Sequence, residues 1–318
     1  MPPVKVPKEL HALHGRSFLS DQDLSAEETL HVLEFTRALK EAQKKGIPHR
    51  LLEGKTLAML FLKPSTRTRV SFETGMFQLG GHAINLTTDA TQLKRGEPLS
   101  DTARVLSKYA DAIMARVYGH DQVQEIQKNS SVPVINGLSN YLHPCQILSD
   151  LFTLYETKGK LKGLHMAYFG RPNNVSNSLL LGCTKMGVHI TLYTPSRFNE
   201  EPLVWKEALQ NARKTHSQMR IAHSIDKSIE EMDFLYTDSW VSMHQHEPQT
   251  WIFKRFKEFQ VNDELIKKCK PGIKVLHDLP AKREWEITSS VLDGKQSLAW
   301  EQAENRLHAQ KALMACML

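Results

Sequence analysis

The segment KPSTRTRVSFE, residues 63–73, sets Lys63, Arg67 and Arg69 among the hydroxyls of Ser65, Thr66 and Thr68, with Arg95 not far along the chain. It stands between an apolar run, KTLAMLFL (55–62), and a stretch with helical spacing. A strand that turns into a helix there exposes the unpaired N–H groups of the first helical turn. Ser65 is a good N-cap residue, and the N–H groups of Thr66, Arg67 and Thr68 then point outward at the positive end of the helix dipole. Such a corner binds phosphate. The hydroxyls add donors, and Arg67 adds a planar cation that can grip two oxygens. A capped helix with surface arginines is the ordinary alternative for these residues taken alone.

The elements that must hold this corner are legible as short apolar runs. KTLAMLFL, HAINL (82–86), DAIMARV (111–117) and PVINGL (133–138) read as buried strands separated by helical patterns. After HPCQILSDLFTLYETKG the alternation resumes with HMAYFG (165–170), HITLYT (189–194), FLYTD (234–238) and KVLHDL (274–279). Near-continuous apolar strands between helices predict parallel sheets covered on both faces, an α/β class. Two groups of strands predict two doubly wound domains, residues 1–142 and 143–298, with the 143–159 helix as the connection. The last stretch, 299–318, is expected to close back as a helix on the first domain. Ligands of open α/β sheets lie beyond the carboxyl ends of the strands. That rule singles out KPSTRTR, Arg116, GRPNN (170–174), TDSWVSM (237–243) and HDLP (277–280), gathered in a cleft between the domains.

Composition narrows the function. The chain has 318 residues, 41% hydrophobic and 24% charged, ordinary for a globular protein. No run of about 18 apolar residues suggests a membrane span, and MPPVKVPKELHALHG lacks the apolar core of a secretory signal. Four scattered cysteines, without a CxxC pair, suit a reducing cytoplasm. The net charge of +6 is spread among acidic residues rather than gathered in a stripe, which points to small anionic ligands and away from nucleic acid. His244 and His246 in HQH lack a third and fourth ligand nearby, so no metal is expected. No cofactor is expected either.

The ordered set of STRTR after a strand, Arg116 in ARVYGH, HPCQ opening a helix, DSWVSM, and HDLP before ENRLH resembles the aspartate/ornithine carbamoyltransferase family, most closely its ornithine branch. The likeness runs from about Gly54 to Leu318 and includes GKTLAMLF, GMFQLGG, RGEPLSDTARVLS, ADAIM, PVINGL, FQVN and AENRLHAQKAL. It implies two α/β domains with the active site between them, in a homotrimer whose subunits share sites. It implies that Ser65, Thr66, Arg67 and Thr68 hold the phosphate of carbamoyl phosphate. Arg116 would bridge phosphate and carbamoyl oxygen, and His143, Gln146 and Leu279 would contact the carbamoyl end. Arg306 would close on it, and Gln92 would reach a neighbouring subunit's site. For the amino substrate it implies Asn174 at the carboxylate, Asp238 and Ser242 at the α-ammonium, and a backbone contact from Met243. Arg116, His143, Asp278 and Arg306 are the residues implied in catalysis.

The chemistry suits these residue types. Amine attack on the carbonyl of a mixed anhydride makes an oxyanion while phosphate departs with added charge, so donors aimed at both charges stabilise the transition state. Separately, His143 could be a helix cap, and Arg306 could pair with Glu301 or Glu304; their joint order overrides those readings. Three departures surround the expected amine site. The ornithine branch has Cys where this chain has Asp278, Gly where it has His244, and Asp-Gly where it has Arg171-Pro172. An exchange of charge between Arg171 and Asp278 is one expectation. The acceptor is expected to be ornithine, giving citrulline; another amino compound, or ligand binding without transfer, are the competing readings.

Overall fold

The computed structural model describes residues 4–196, 200–241 and 247–318. It divides into two compact units, Met1–Phe152 with Glu304–Leu318, and Thr153–Ala303. The division between Phe152 and Thr153 falls inside the continuous helix Pro144–Lys158 and not at 142/143, just before that helix begins.

The first unit opens with α1 (Ala26–Lys44), begun by a capping box in which Ser25 and Glu28 exchange hydrogen bonds. There follow β1 (Thr56–Phe61), α2 (Thr66–Gln78), β2 (His82–Thr87), α3 (Leu99–Tyr109), β3 (Ala112–Arg116), α4 (His120–Asn129), β4 (Val134–Leu138) and the start of α5 (Pro144–Lys158). The four strands make one parallel sheet in the order β2-β1-β3-β4. β1 and β3, inside the sheet, are buried almost throughout and β2, at one edge, is half-exposed, which explains the apolar runs of the inner strands.

The second unit contains β5 (His165–Phe169), α6 (Asn174–Lys185), β6 (His189–Tyr193), α7 (Pro202–Thr215), β7 (Met219–Ala222), β8 (Phe234–Thr237), α8 (Gln249–Phe256), α9 (Asp263–Lys268), β9 (Lys274–His277) and α10 (Ser289–Leu292). Its sheet is also parallel, ordered β7-β6-β5-β8-β9. All eight expected strands are present. β7 was not legible, since this edge strand, MRIA, is half-exposed over three of its four residues and carries no apolar run. In each sheet the strand order reverses beside the first strand, between β1 and β3 and between β5 and β8. The polar segments expected to bind ligand begin at the carboxyl ends of those strands.

The closing helix α11 (Ala299–Met317) returns the chain to the first unit. It buries Asn305, Arg306, His308, Gln310 and Lys311. Asn305 Oδ1 accepts a 2.7 Å bond from Lys40 Nζ, and Lys311 Nζ stands 2.7 Å from His49 Nε2 and donates to Gln78 Oε1 at 2.8 Å. His49 Nδ1 faces the Ile47 carbonyl at 2.8 Å, so the proton sits there and Nε2 accepts from the lysine. Burial pulls the Lys311 amine down to about 8.

This depression has a measurable sign. Between about pH 8 and the ordinary lysine value near 10.4, the unfolded chain holds a proton that the folded chain has released, so stability rises with pH across that window. We predict that the stability of Lys311→Met, followed by urea denaturation from pH 7 to 10.5, lacks this contribution. The difference between wild type and variant should change in wild type's favour as the pH rises through 8, and a constant difference would contradict the depressed amine.

Candidate active site

The corner after β1 is built as its residues require. Leu62 N and Lys63 N both donate to the Arg116 carbonyl, at 2.9 and 3.3 Å, which ties the segment to the end of β3. Ser65 is the N-cap of α2, its Oγ accepting from Thr68 N at 3.3 Å. Thr66 and Arg67 begin the first turn, where their backbone N–H groups have no helical acceptor. Arg67 is half-buried, and its side chain has no hydrogen-bond or ion-pair partner among the described residues.

Thr68 is buried and is the meeting point of the unit. Its Oγ1 receives Arg116 Nη1 at 3.3 Å from the end of β3 and Arg306 Nη2 at 3.1 Å from α11. The other terminal nitrogen of Arg306 donates to Gln146 Oε1 at 2.9 Å, and Gln146 Nε2 donates to Asp150 Oδ1 at 2.8 Å one turn further along α5. Arg116 and Arg306 are 9% and 5% exposed, so two guanidinium groups are held out of water on one hydroxyl. Glu304, the alternative partner for Arg306, faces Lys40 at 3.7 Å and His308 at 3.5 Å.

His143 immediately precedes α5 and is buried. Burial first, and then the charges of Arg306, Arg116 and Lys63, hold its imidazole well below the ordinary histidine range. It is therefore neutral near pH 7, with one N–H to donate and one lone pair. Cys145 beside it is pushed up to about 12 by burial, so the thiol is not a nucleophile. Gln92 does not join this cluster; it is exposed on a short 3-10 turn, Gln92–Arg95, that ends at Gly96.

In the second unit Gly170 leaves β5 with φ 148°, a conformation that side chains rarely adopt, and leads into the N-cap of α6. Asn173 fills that cap, its Oδ1 accepting from Val175 N at 2.9 Å and Ser176 N at 3.0 Å. Its Nδ2 donates to Asp238 Oδ2 at 2.7 Å, so the capping residue also orients the carboxylate that follows β8. Asn174, half-buried, is the first helical residue. Ser242, Met243 and His244 lie outside the described residues.

Asp278 follows β9, the neighbour of β8, and Thr237 pairs in register with His277. The carboxylates of Asp238 and Asp278 thus leave adjacent strand ends, which lie about 4.8 Å apart in a sheet. The hydroxyl of Tyr168, on β5, is pushed well up by burial and then by Asp238, Asp278 and Glu286. Leu279 has φ 59°, and its N–H donates to His277 Nδ1 at 2.9 Å. His277 Nε2 therefore carries the proton, toward Glu286 Oε1 at 3.3 Å, with both side chains fully buried. Arg171 Nη1 pairs with Glu247 Oε1 at 3.2 Å.

A family model described as the carbamoyl-phosphate-binding domain of aspartate/ornithine carbamoyltransferase matches residues 16–156, and one for the Asp/Orn-binding domain matches 162–317. The chain belongs to the aspartate/ornithine carbamoyltransferase family. It is 50% identical over 307 residues to the ornithine carbamoyltransferase of Pyrococcus abyssi, covering 96% of this chain and 97% of that one. The anabolic ornithine carbamoyltransferase of Pyrococcus furiosus is 49% identical over the same length, covering 96% and 98%. A solved structure of the Pyrococcus furiosus enzyme superposes with a TM-score of 0.93 at 50% identity, covering 96% of this chain and 97% of that one.

Within this carbamoyltransferase scaffold, sequence reading missed Asn173 and Tyr168. Asn173 carries a local signal, since an Asn with Ser three positions on is a capping pattern. Its second bond, to a residue 65 positions away, carries none.

That shared duty gives a test. Asn173→Asp keeps an N-cap oxygen but sets a second carboxylate against Asp238, and like charges at such range raise the pKa of the pair. We predict a melting temperature lower than wild type by about 2–4 °C at pH 7. The gap should close as the pH falls toward about 4, where a proton removes the repulsion. A pH-independent gap would mean that the two side chains do not meet.

Proposed function

We propose that this carbamoyltransferase moves the carbamoyl group of carbamoyl phosphate to the side-chain amine of L-ornithine, giving L-citrulline and phosphate. The observation that carries the reading is the convergence of Arg116 and Arg306 on Thr68 at the N-terminus of α2. Two buried cations beside unpaired helix N–H groups suit a dianionic phosphate better than any neutral ligand.

In this reading the first unit handles the donor. Ser65, Thr66, Arg67 and Thr68 hold the phosphate, and Arg116 spans phosphate and carbamoyl oxygen. Gln146, Leu279 and the neutral His143 address the carbamoyl end. The amine nitrogen forms a bond to the carbonyl carbon, and the carbonyl electrons move onto oxygen. Collapse of that oxyanion breaks the carbon–oxygen bond to phosphate, which leaves with the electron pair, while the amine loses a proton. Donors in place before the charge develops contribute about 3–4 kcal/mol each. A neutral His143 donates to the oxyanion without adding a third positive charge beside two arginines.

The second unit handles the acceptor, with Asn174 at its carboxylate and Asp238, Ser242 and Met243 at its α-ammonium. The additional carboxylate of Asp278 favours an acceptor with two cationic centres. Ornithine has two, and another diamino compound is the second reading. Asp278 holds the reacting amine as an ammonium and so slows its attack, because a protonated amine has no lone pair. We expect phosphate release from carbamoyl phosphate with ornithine in a panel of diamines and amino acids. Asp278→Cys should raise turnover with ornithine and lose activity on any better acceptor. Silence of the wild-type enzyme with every amine would refute carbamoyl transfer; an unchanged acceptor profile in the variant would remove Asp278 from the amine site.

The enzyme acts in the cytoplasm as a homotrimer with shared sites, without cofactor. Exposed apolar residues of the first unit, Val70, Phe77, Ile84 and Tyr109, support a subunit contact there, and the exposed Gln92 is free to serve a neighbour. Arg67→Ala and Gln92→Ala proteins should each be severely impaired. After subunit exchange a mixture should regain part of the lost rate, since some mixed interfaces carry neither defect. Proven exchange without recovery would place Gln92 in its own subunit's site.

A further inference from the structure

Lys311 has no part in the chemistry just described, yet it is a fully buried amine on the helix that delivers Arg306. Taking an amine out of water costs stability, which its two hydrogen bonds offset in part. What Lys311 supplies is direction. Its two bonds run to His49, ahead of β1, and to Gln78, the last residue of α2. The opposite end of α2 is the phosphate corner, where Thr68 meets Arg306.

The two helices touch closely between these points. A methyl group placed on Gly75 of α2 would stand 3.0 Å from Met314 Cε, 3.3 Å from Lys311 Cγ and 3.7 Å from Leu307 Cδ1. These α11 residues, spaced by four and three, form one stripe of the helix. An apolar stripe against a glycine permits sliding and rolling, because dispersion contacts have little directional preference. Hydrogen bonds at 2.7 and 2.8 Å do not.

We propose that Lys311, acting through Gln78, is a positioning residue that fixes the register of α11 against α2 and so sets Arg306 over the carbamoyl phosphate site. This rests on the functional reading above. Arg306 lies five residues before Lys311, about 7.5 Å along the helix. A small slide of α11 at the lysine therefore moves the guanidinium by a similar amount, and displacements near 1 Å at a reacting centre cost up to about a hundredfold in rate.

The test separates positioning from stability by the kinetic parameter that moves. Lys311→Met keeps the length and removes the cost of a buried amine, but it leaves His49 Nε2 and Gln78 Oε1 without their donor, so the two effects on melting temperature oppose and the kinetics decide. The variant's KM for carbamoyl phosphate should rise about tenfold, and its kcat should fall, while KM for the amine stays unchanged. Gln78→Ala, a milder change at a half-buried helix end, should show the same kinetic direction. The double variant should be no worse than the worse single one, since both remove one contact. A merely structural lysine would give a lower melting temperature with an unaltered KM for carbamoyl phosphate, and that result would overturn the proposal. Additive defects would equally overturn it. A wild-type protein that does not use carbamoyl phosphate would instead sink the functional reading, and the positioning role with it.

Discussion

Two guanidinium groups sharing one threonine hydroxyl is the arrangement on which the first unit depends. Arg116 and Arg306 repel each other, and burial removes the water that would screen them. The fold holds them there by different means. Arg116 is fixed as the last residue of a buried strand, with its carbonyl gripping the corner that follows β1. Arg306 is fixed by Gln146 and by the anchoring of its helix. Burial first, and then the same crowding of positive charge, hold the His143 imidazole well below the ordinary histidine range. Two positive charges are thus held in place at the N-terminus of α2, where charges fixed in advance need no reorganisation to meet an anion.

The second unit gathers negative charge by the same topological means. Its reversal of strand order sets Asn173 and Asp238 together at neighbouring strand ends, and β9 adds Asp278 beside them. Burial first, and then the carboxylates of Asp238, Asp278 and Glu286, hold the Tyr168 hydroxyl well up, and Arg171 pairs with Glu247. Positive and negative poles are therefore segregated by sheet. Each is placed at the carboxyl edge, where parallel strands leave short loops and helix N-termini for binding.

The sequence spoke most clearly where one local signal sufficed. Inner strands announced themselves as apolar runs, and Ser65 announced the start of α2. Edge strand β7, half-exposed, had no such signal. The hydroxyl- and arginine-rich corner from Ser65 to Thr68 was legible as a helix start from spacing and chemistry. The convergence of Thr68, Arg116, Gln146 and Arg306 was legible only through the order of motifs along the chain, because these residues come from separate elements. Asn173 was half-legible, as a cap but not as the partner of Asp238. Lys311 was invisible, since a lysine among KALMA reads as an exposed helical position until the helices packed around it are known.

The division of the chain carries a consequence for assembly. The first unit is interrupted by the second, which occupies Thr153–Ala303 as though inserted into it. The bonds that complete the first unit join residues 265, 238 and 262 positions apart, Lys40 to Asn305, Thr68 to Arg306 and His49 to Lys311. Contacts of such separation form late, because the intervening chain must first be ordered. An emerging polypeptide can therefore finish the amine-binding half while the donor-binding half still lacks its last helix. During synthesis, competence to grip phosphate arrives last.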